Sequence, residues 1–75
     1  MSVVVWSLPE CQGCRMTARL FAKRGVKFEV RDLSAEPETA ERFRADGHLA
    51  APIVEADGLV WSGFRPDLIR EVAPS

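Results

Sequence analysis

The sequence predicts an α/β fold with the element order β-α-β-α-β-β-α. Three observations carry the prediction. A strand–helix–strand run fits within about 30 residues, the length of one βαβ unit. Asp57-Gly58 separates two apolar runs, the signal of a two-residue hairpin. The only two cysteines, in Cys11-Gln12-Gly13-Cys14, fall where the first strand gives way to the first helix.

Val3 to Ser7 is a continuous apolar run rich in β-branched residues, as expected of a strand covered on both faces. Leu8-Pro9-Glu10 breaks it. A helix is expected from about Gln12 to about Arg24, because Cys14, Thr17, Ala18 and Phe21 recur at the spacing of one helical face. Arg15, Arg19, Lys23 and Arg24 suit its solvated side and its negative end, and Gly25 suits the position just past it. Lys27-Phe28-Glu29-Val30-Arg31 alternates with period two and reads as a half-exposed strand with Phe28 and Val30 inward. A crossover between two such parallel strands is almost always right-handed.

Ser34 is the expected cap of a second helix, with Pro37 in its first turn, Ala40 and Phe43 on its apolar face and Gly47 at its end. Pro52-Ile53-Val54-Glu55-Ala56 and Leu59-Val60-Trp61-Ser62 are the arms of the hairpin. Pro66 fits the first position of a last helix, Asp67 favours its positive end, and Leu68, Ile69 and Val72 face inward. No repeat, linker or low-complexity tract interrupts the 75 residues, so one domain, 1–75, is expected.

The net charge is −1, with acidic and basic residues interspersed. That argues against a nucleic acid or an anionic membrane as a partner held by bulk charge. Met1 lies two residues before the first strand, no signal peptide is expected, and no apolar run approaches membrane-spanning length. The expected location is the cytosol. There, a lone Cys-x-x-Cys is more often catalytic or metal-binding than a structural staple.

The placement of the cysteines points to redox exchange. A thiol at a helix N-terminus meets unpaired backbone N–H groups and the positive end of the macrodipole. Both favour the thiolate, which is the nucleophile in disulfide exchange. A second thiol three residues on can resolve the mixed disulfide that the first one makes. Cys14, one turn into the helix and on its apolar face, should be the more buried of the two.

With Cys-x-x-Cys after the first strand and Pro52 opening the third, the order resembles the thioredoxin fold, in which that proline is cis and sits beside the reactive thiol. Trp61-Ser62-Gly63-Phe64-Arg65-Pro66 is similar to the motif of NrdH-type redoxins, glutaredoxin-sized proteins that behave like thioredoxins. The resemblance implies the thioredoxin/glutaredoxin fold, a four-stranded mixed sheet flanked by three helices. It implies a monomeric electron donor that reduces a class Ib ribonucleotide reductase or another disulfide protein. The donor would hold no bound cofactor and would be recharged by thioredoxin reductase with NADPH rather than by glutathione. By the same resemblance Cys11 attacks and Cys14 resolves across Gln12 and Gly13. Ala51 and Pro52 hold the partner's extended segment, and Trp61, Ser62, Gly63, Phe64 and Arg65 shape the adjacent surface.

The chain departs from the family pattern at several places. Tyrosine is frequent where Trp6 stands, lysine where Leu8 and Ala18 stand, and valine-glutamine where Gln12-Gly13 stand. Missing positive charge near the thiols, and Glu10 beside Cys11, both oppose thiolate formation. The expected potential lies between glutaredoxin and thioredoxin values, about −230 to −270 mV.

Other readings stay open at this point. The cysteines could form half of a zinc site with His48 and carboxylates, or share an iron–sulfur cluster between two chains. A glutathione-dependent glutaredoxin and a redox-sensing interaction module are the rival functions. Trp6 and Trp61 could both be core residues, Pro52 an ordinary strand opener, and Arg65 a surface charge. His48 could lie at a helix end, in a solvated loop or beside a catalytic thiol. Phe64 is a partner contact if exposed and a plug under the last helix if buried.

Overall fold

The computed structural model describes residues 2–74; Met1 and Ser75, the ends of the expected domain, lie outside the described residues. Its elements are β1 (Val3–Ser7), α1 (Gln12–Lys23), β2 (Glu29–Asp32), a 3₁₀ turn (Leu33–Ala35), α2 (Pro37–Ala45), β3 (Ile53–Ala56), β4 (Leu59–Ser62) and α3 (Pro66–Ile69). The strands form one mixed sheet in the order β2-β1-β3-β4. β1 runs parallel to β2 and antiparallel to β3, and β3 pairs antiparallel with β4. This is the expected thioredoxin-like architecture.

Side chains alternate across the central strand, so β1 serves two cores. Val3 and Val5 join Phe21 of α1, Ile69 of α3, Val54 and Trp61 in the larger cluster. Trp6 joins Leu33, Phe43 of α2 and Ile53 in the smaller one, with Val4 packed against it. Trp6 is the centre of that second layer. Its indole Nε1 donates to Glu55 Oε1 at 2.7 Å, Phe43 meets its ring edge-on at 5.8 Å between centroids, and the Arg31 guanidinium lies 5.0 Å above it. The core reading of Trp6 is therefore correct.

The helix ends show how local chemistry stops each run. At the end of α1 the Val26 N–H reaches Phe21 O at 3.0 Å and the Gly25 N–H reaches Ala22 O at 3.1 Å. The same reverse pattern closes α2, where the His48 N–H reaches Phe43 O at 2.9 Å and the Gly47 N–H reaches Arg44 O at 3.0 Å. In the hairpin, Asp57 at φ 49° and Gly58 at φ 83° both adopt the left-handed region that a tight turn of this hand requires.

Several expectations need correction. Strand β2 begins at Glu29 rather than Lys27, and Val30 is 54% exposed. The cause is position: β2 is an edge strand, and Val30 borders an open cavity beside α1. Phe28 still packs inward, 5.9 Å from the Phe21 ring. Ser34 caps nothing. Its backbone N–H and hydroxyl both donate to Asp32 Oδ1, at 2.9 and 2.6 Å, and this tightens a 3₁₀ turn ahead of α2. Helix α2 starts from Glu36 with Pro37 as its first residue and has no side-chain cap. The last helix is only Pro66–Ile69, although Ile69 and Val72 are buried as expected.

Candidate active site

Three segments meet at the C-terminal end of β1. The first is the turn into α1. Glu10 stands at φ 58°, an uncommon conformation for a side-chain-bearing residue, and this turns the chain so that Cys11 becomes the cap of α1. The Cys11 sulfur accepts a hydrogen bond from the Cys14 N–H at 3.1 Å. One of the four orphan donors of the helix is thus aimed at the first sulfur. Cys11 is half-buried, whereas Cys14 is 6% exposed, the order expected of an attacking and a resolving thiol. The two are joined as a disulfide with Cα atoms 5.3 Å apart.

The second segment is Ala51-Pro52, which leads into β3. Its peptide bond is cis, Pro52 is buried and Ala51 is half-buried. The proline ring lies directly under the first turn of α1: a Cβ placed on Gly13 would come 3.2 Å from Pro52 Cδ and 3.9 Å from Phe64 Cβ. Gly13 is therefore the point where helix, proline loop and the segment after β4 touch. Gln12 is exposed beside it.

The third segment follows β4. The Gly63 N–H donates to Pro52 O at 2.8 Å, which ties this loop to the proline loop, and Gly63 has φ 87°, a conformation natural to glycine. Ser62 is half-buried and its hydroxyl is 3.2 Å from His48 Nδ1. Phe64 is half-buried against the larger core, so it is both a plug and part of the rim. Arg65 is exposed and forms a two-pronged pair with Asp67, at 3.1 and 2.9 Å. Trp61 departs from the expectation of a recognition surface. It is 4% exposed, because its register opposite Val54 turns it toward the helices, and its Nε1 is buried without a partner. It supports the rim from beneath.

On the other side of the cysteine pair lies a shallow cavity of about 170 Å³. Leu8, Ala18 and Val30 give it an apolar wall, with Glu10 and Arg15 at its edge. Leu8 and Ala18, two of the departures from the family pattern, therefore line the same opening beside Cys11 and Cys14.

His48 is the site residue whose role the sequence did not reveal. It does end a helix, as one reading allowed, but its ring also bonds Ser62, fourteen residues away. Only the packing of α2 against the sheet brings them together. Among the described residues no three His, Cys, Asp or Glu side chains gather to hold a metal ion.

The Arg65–Asp67 pair carries a pH prediction. The hydrogen bond from Arg65 holds the Asp67 carboxyl below its ordinary range, and the same bond raises the guanidinium. A carboxyl depressed in the folded state contributes stability above its unfolded pKa and loses it as pH falls through the folded value. Arg65→Gln should move the Asp67 titration upward, read from its carboxyl chemical shift by NMR. Both groups are exposed, so the change in overall stability should be small.

Comparison with known proteins decides the family. The glutaredoxin family model matches residues 3–61. The chain belongs to the glutaredoxin family. Within this family it is similar to the glutaredoxin-like protein NrdH of Escherichia coli K12, with 39% identity over 75 residues that cover 100% of this chain and 93% of the relative. The NrdH of Lactococcus lactis subsp. lactis is 30% identical over 71 residues, covering 95% of this chain and 99% of that one. The solved structure of Escherichia coli NrdH-redoxin, described as having a thioredoxin-like activity profile, superimposes with a TM-score of 0.93 at 39% identity, covering 100% of this chain and 99% of that one. This glutaredoxin is thus an NrdH-type thiol-disulfide oxidoreductase whose redox centre is the Cys11–Cys14 pair. Its partner is a disulfide-bearing protein. Among the described residues no helix is long and apolar enough to cross a membrane.

Proposed function

We propose that this glutaredoxin is a cytosolic dithiol electron carrier that reduces the disulfide of a class Ib ribonucleotide reductase and is recharged by thioredoxin reductase with NADPH. The carrying observation is the arrangement around Cys11. A half-exposed sulfur caps α1, accepts the Cys14 N–H, and has its buried resolving partner one turn away. The Trp61–Pro66 motif beside it and the thioredoxin-like profile described for the Escherichia coli relative favour the reductase over glutathione.

In the reduced carrier the Cys11 thiolate attacks the target disulfide. A Cys11–target S–S bond forms, the target's own S–S bond breaks, and one target sulfur leaves as thiolate. Cys14 sulfur then attacks Cys11. The Cys11–Cys14 bond forms and the second target sulfur leaves. The target gains two electrons and two protons, the carrier loses them, and the reductase returns them from NADPH.

The test is NADPH consumption in the presence of this protein, thioredoxin reductase and an oxidised class Ib ribonucleotide reductase, compared with glutathione plus glutathione reductase. Turnover with thioredoxin reductase and little with glutathione is the expected result. The reverse pattern would make the chain a glutathione-dependent glutaredoxin.

A further inference from the structure

Thr17 has no assigned task, yet its setting is unusual. It is 0% exposed, and among the described residues it is the buried polar side chain other than the indoles. Its Oγ1 has no hydrogen-bond partner. A threonine inside a helix commonly satisfies its hydroxyl on a carbonyl three or four residues back. Here it does not. A buried hydroxyl left unpaired is costly, and such groups call for a reason.

The reason lies one turn away. Thr17 is three residues after Cys14, so the two side chains share a helix face with Cβ atoms about 5–6 Å apart. Side chains in a helix lean toward its N-terminus, which tilts Thr17 toward the turn that carries Cys14. While the disulfide is closed, Cys14 Sγ is held toward Cys11 at the helix cap. Opening it frees Cys14 χ1 to adopt another staggered position. It also turns a weak acceptor into a thiol or thiolate, and hydrogen bonds to a charged acceptor are the stronger kind.

We infer that Thr17 is a positioning residue for the resolving thiol: its hydroxyl is orphaned in the disulfide form and donates to Cys14 Sγ in the dithiol form. The hydroxyl then favours the reduced state twice, by costing the oxidised one an unpaired group and by supplying the reduced one a bond. Its removal should shift the pair toward the disulfide and make the protein a stronger reductant. The bond also orients Cys14 in the mixed disulfide, where Cys14 must meet Cys11.

The test uses Thr17→Val and Thr17→Ala, which both remove the hydroxyl, and Thr17→Ser, which keeps it. Each is equilibrated with a glutathione redox buffer, and the dithiol fraction is counted by alkylation and mass spectrometry. The expected result is a shift of about five- to tenfold toward the disulfide for both hydroxyl-free variants, the worth of one ordinary hydrogen bond, with Thr17→Ser within about twofold of the parent. Thermal unfolding should also split by redox state, with Thr17→Val raising the midpoint of the oxidised protein relative to that of the reduced one. Equal changes in both states, with an unmoved equilibrium, would overturn the inference and leave Thr17 a packing residue. The equilibrium needs no target protein, so it stands or falls separately from the ribonucleotide reductase proposal.

Discussion

Replacing Cys11 by serine should abolish turnover, whereas replacing Cys14 by serine should leave the first attack intact and stop the reaction at a covalent complex with the target. The difference follows from placement. Cys11 is the half-buried sulfur at the cap, reached by solvent and by the Cys14 N–H, and it is the atom a protein substrate can approach. Cys14 is 6% exposed and its sulfur is bonded to Cys11, so an incoming protein disulfide meets Cys11 first. The serine hydroxyl at position 11 has no accessible alkoxide at neutral pH, so no exchange begins. At position 14 it cannot displace the target sulfur, so the mixed disulfide persists. A reductase-coupled assay gives the turnover, and a non-reducing gel shows the trapped adduct, which should vanish on adding a reductant. Comparable activity in both variants would mean that the roles assigned to the two sulfurs are wrong.

The largest expected loss of stability comes from Phe21→Ala. Phe21 is 0% exposed and sits in the larger cluster with Val5, Val54 and Ile69 from three other elements. Truncation of a fully buried phenylalanine costs about 3–5 kcal/mol. A domain of this size has roughly 4–11 kcal/mol in total, so the change removes between about a quarter and all of it. The midpoint of thermal unfolding should fall by at least about 12 °C, at roughly 4–8 °C per kcal/mol. A shift of less than about 3 °C would show that the layer between sheet and α1 is not the main core. Because α1 carries Cys14 and is capped by Cys11, the variant should lose activity in proportion to its unfolded fraction, and the lost activity should return on cooling.

Much of this molecule is readable from neighbouring residues alone, and the failures share one cause. The first strand, the hairpin and the limits of α1 follow from local pattern: a β-branched run, Asp57-Gly58, and Gly25 after a periodic face. Those signals are complete within a few residues. The exposure of Val30 is not legible locally, because period two says which residues share a face but not whether a helix covers it, and β2 lies at the sheet's edge. Ser34 has the residue type of a cap but not the role, because Asp32, two residues earlier, accepts from both its N–H and its hydroxyl. Trp61 belongs to a motif beside the thiols, yet its pairing with Val54 sends the indole into the core. At the site itself, the cysteine pair and Pro52 were legible from motif and order. The Gly63–Pro52 and His48–Ser62 bonds were not, since each depends on packing between distant segments.

The departures from the family pattern now have a location. Leu8 and Ala18 line one small opening beside the cysteines, and Glu10 stands at its edge. The wall of this opening is largely apolar, with Arg15 its one positive group. Stabilisation of the Cys11 thiolate therefore falls mainly to the backbone of α1, through the Cys14 N–H and the helix dipole.

That assignment is open to a direct check. The fully reduced protein is alkylated with iodoacetamide over a series of pH values, and modification at each cysteine is followed by mass spectrometry. Cys11 should react first, with its rate already half-maximal well below the value of about 8.5 at which a free cysteine titrates. Modification that begins at Cys14, or a Cys11 profile centred at or above that of the free amino acid, would contradict the reading of this chain as an electron carrier.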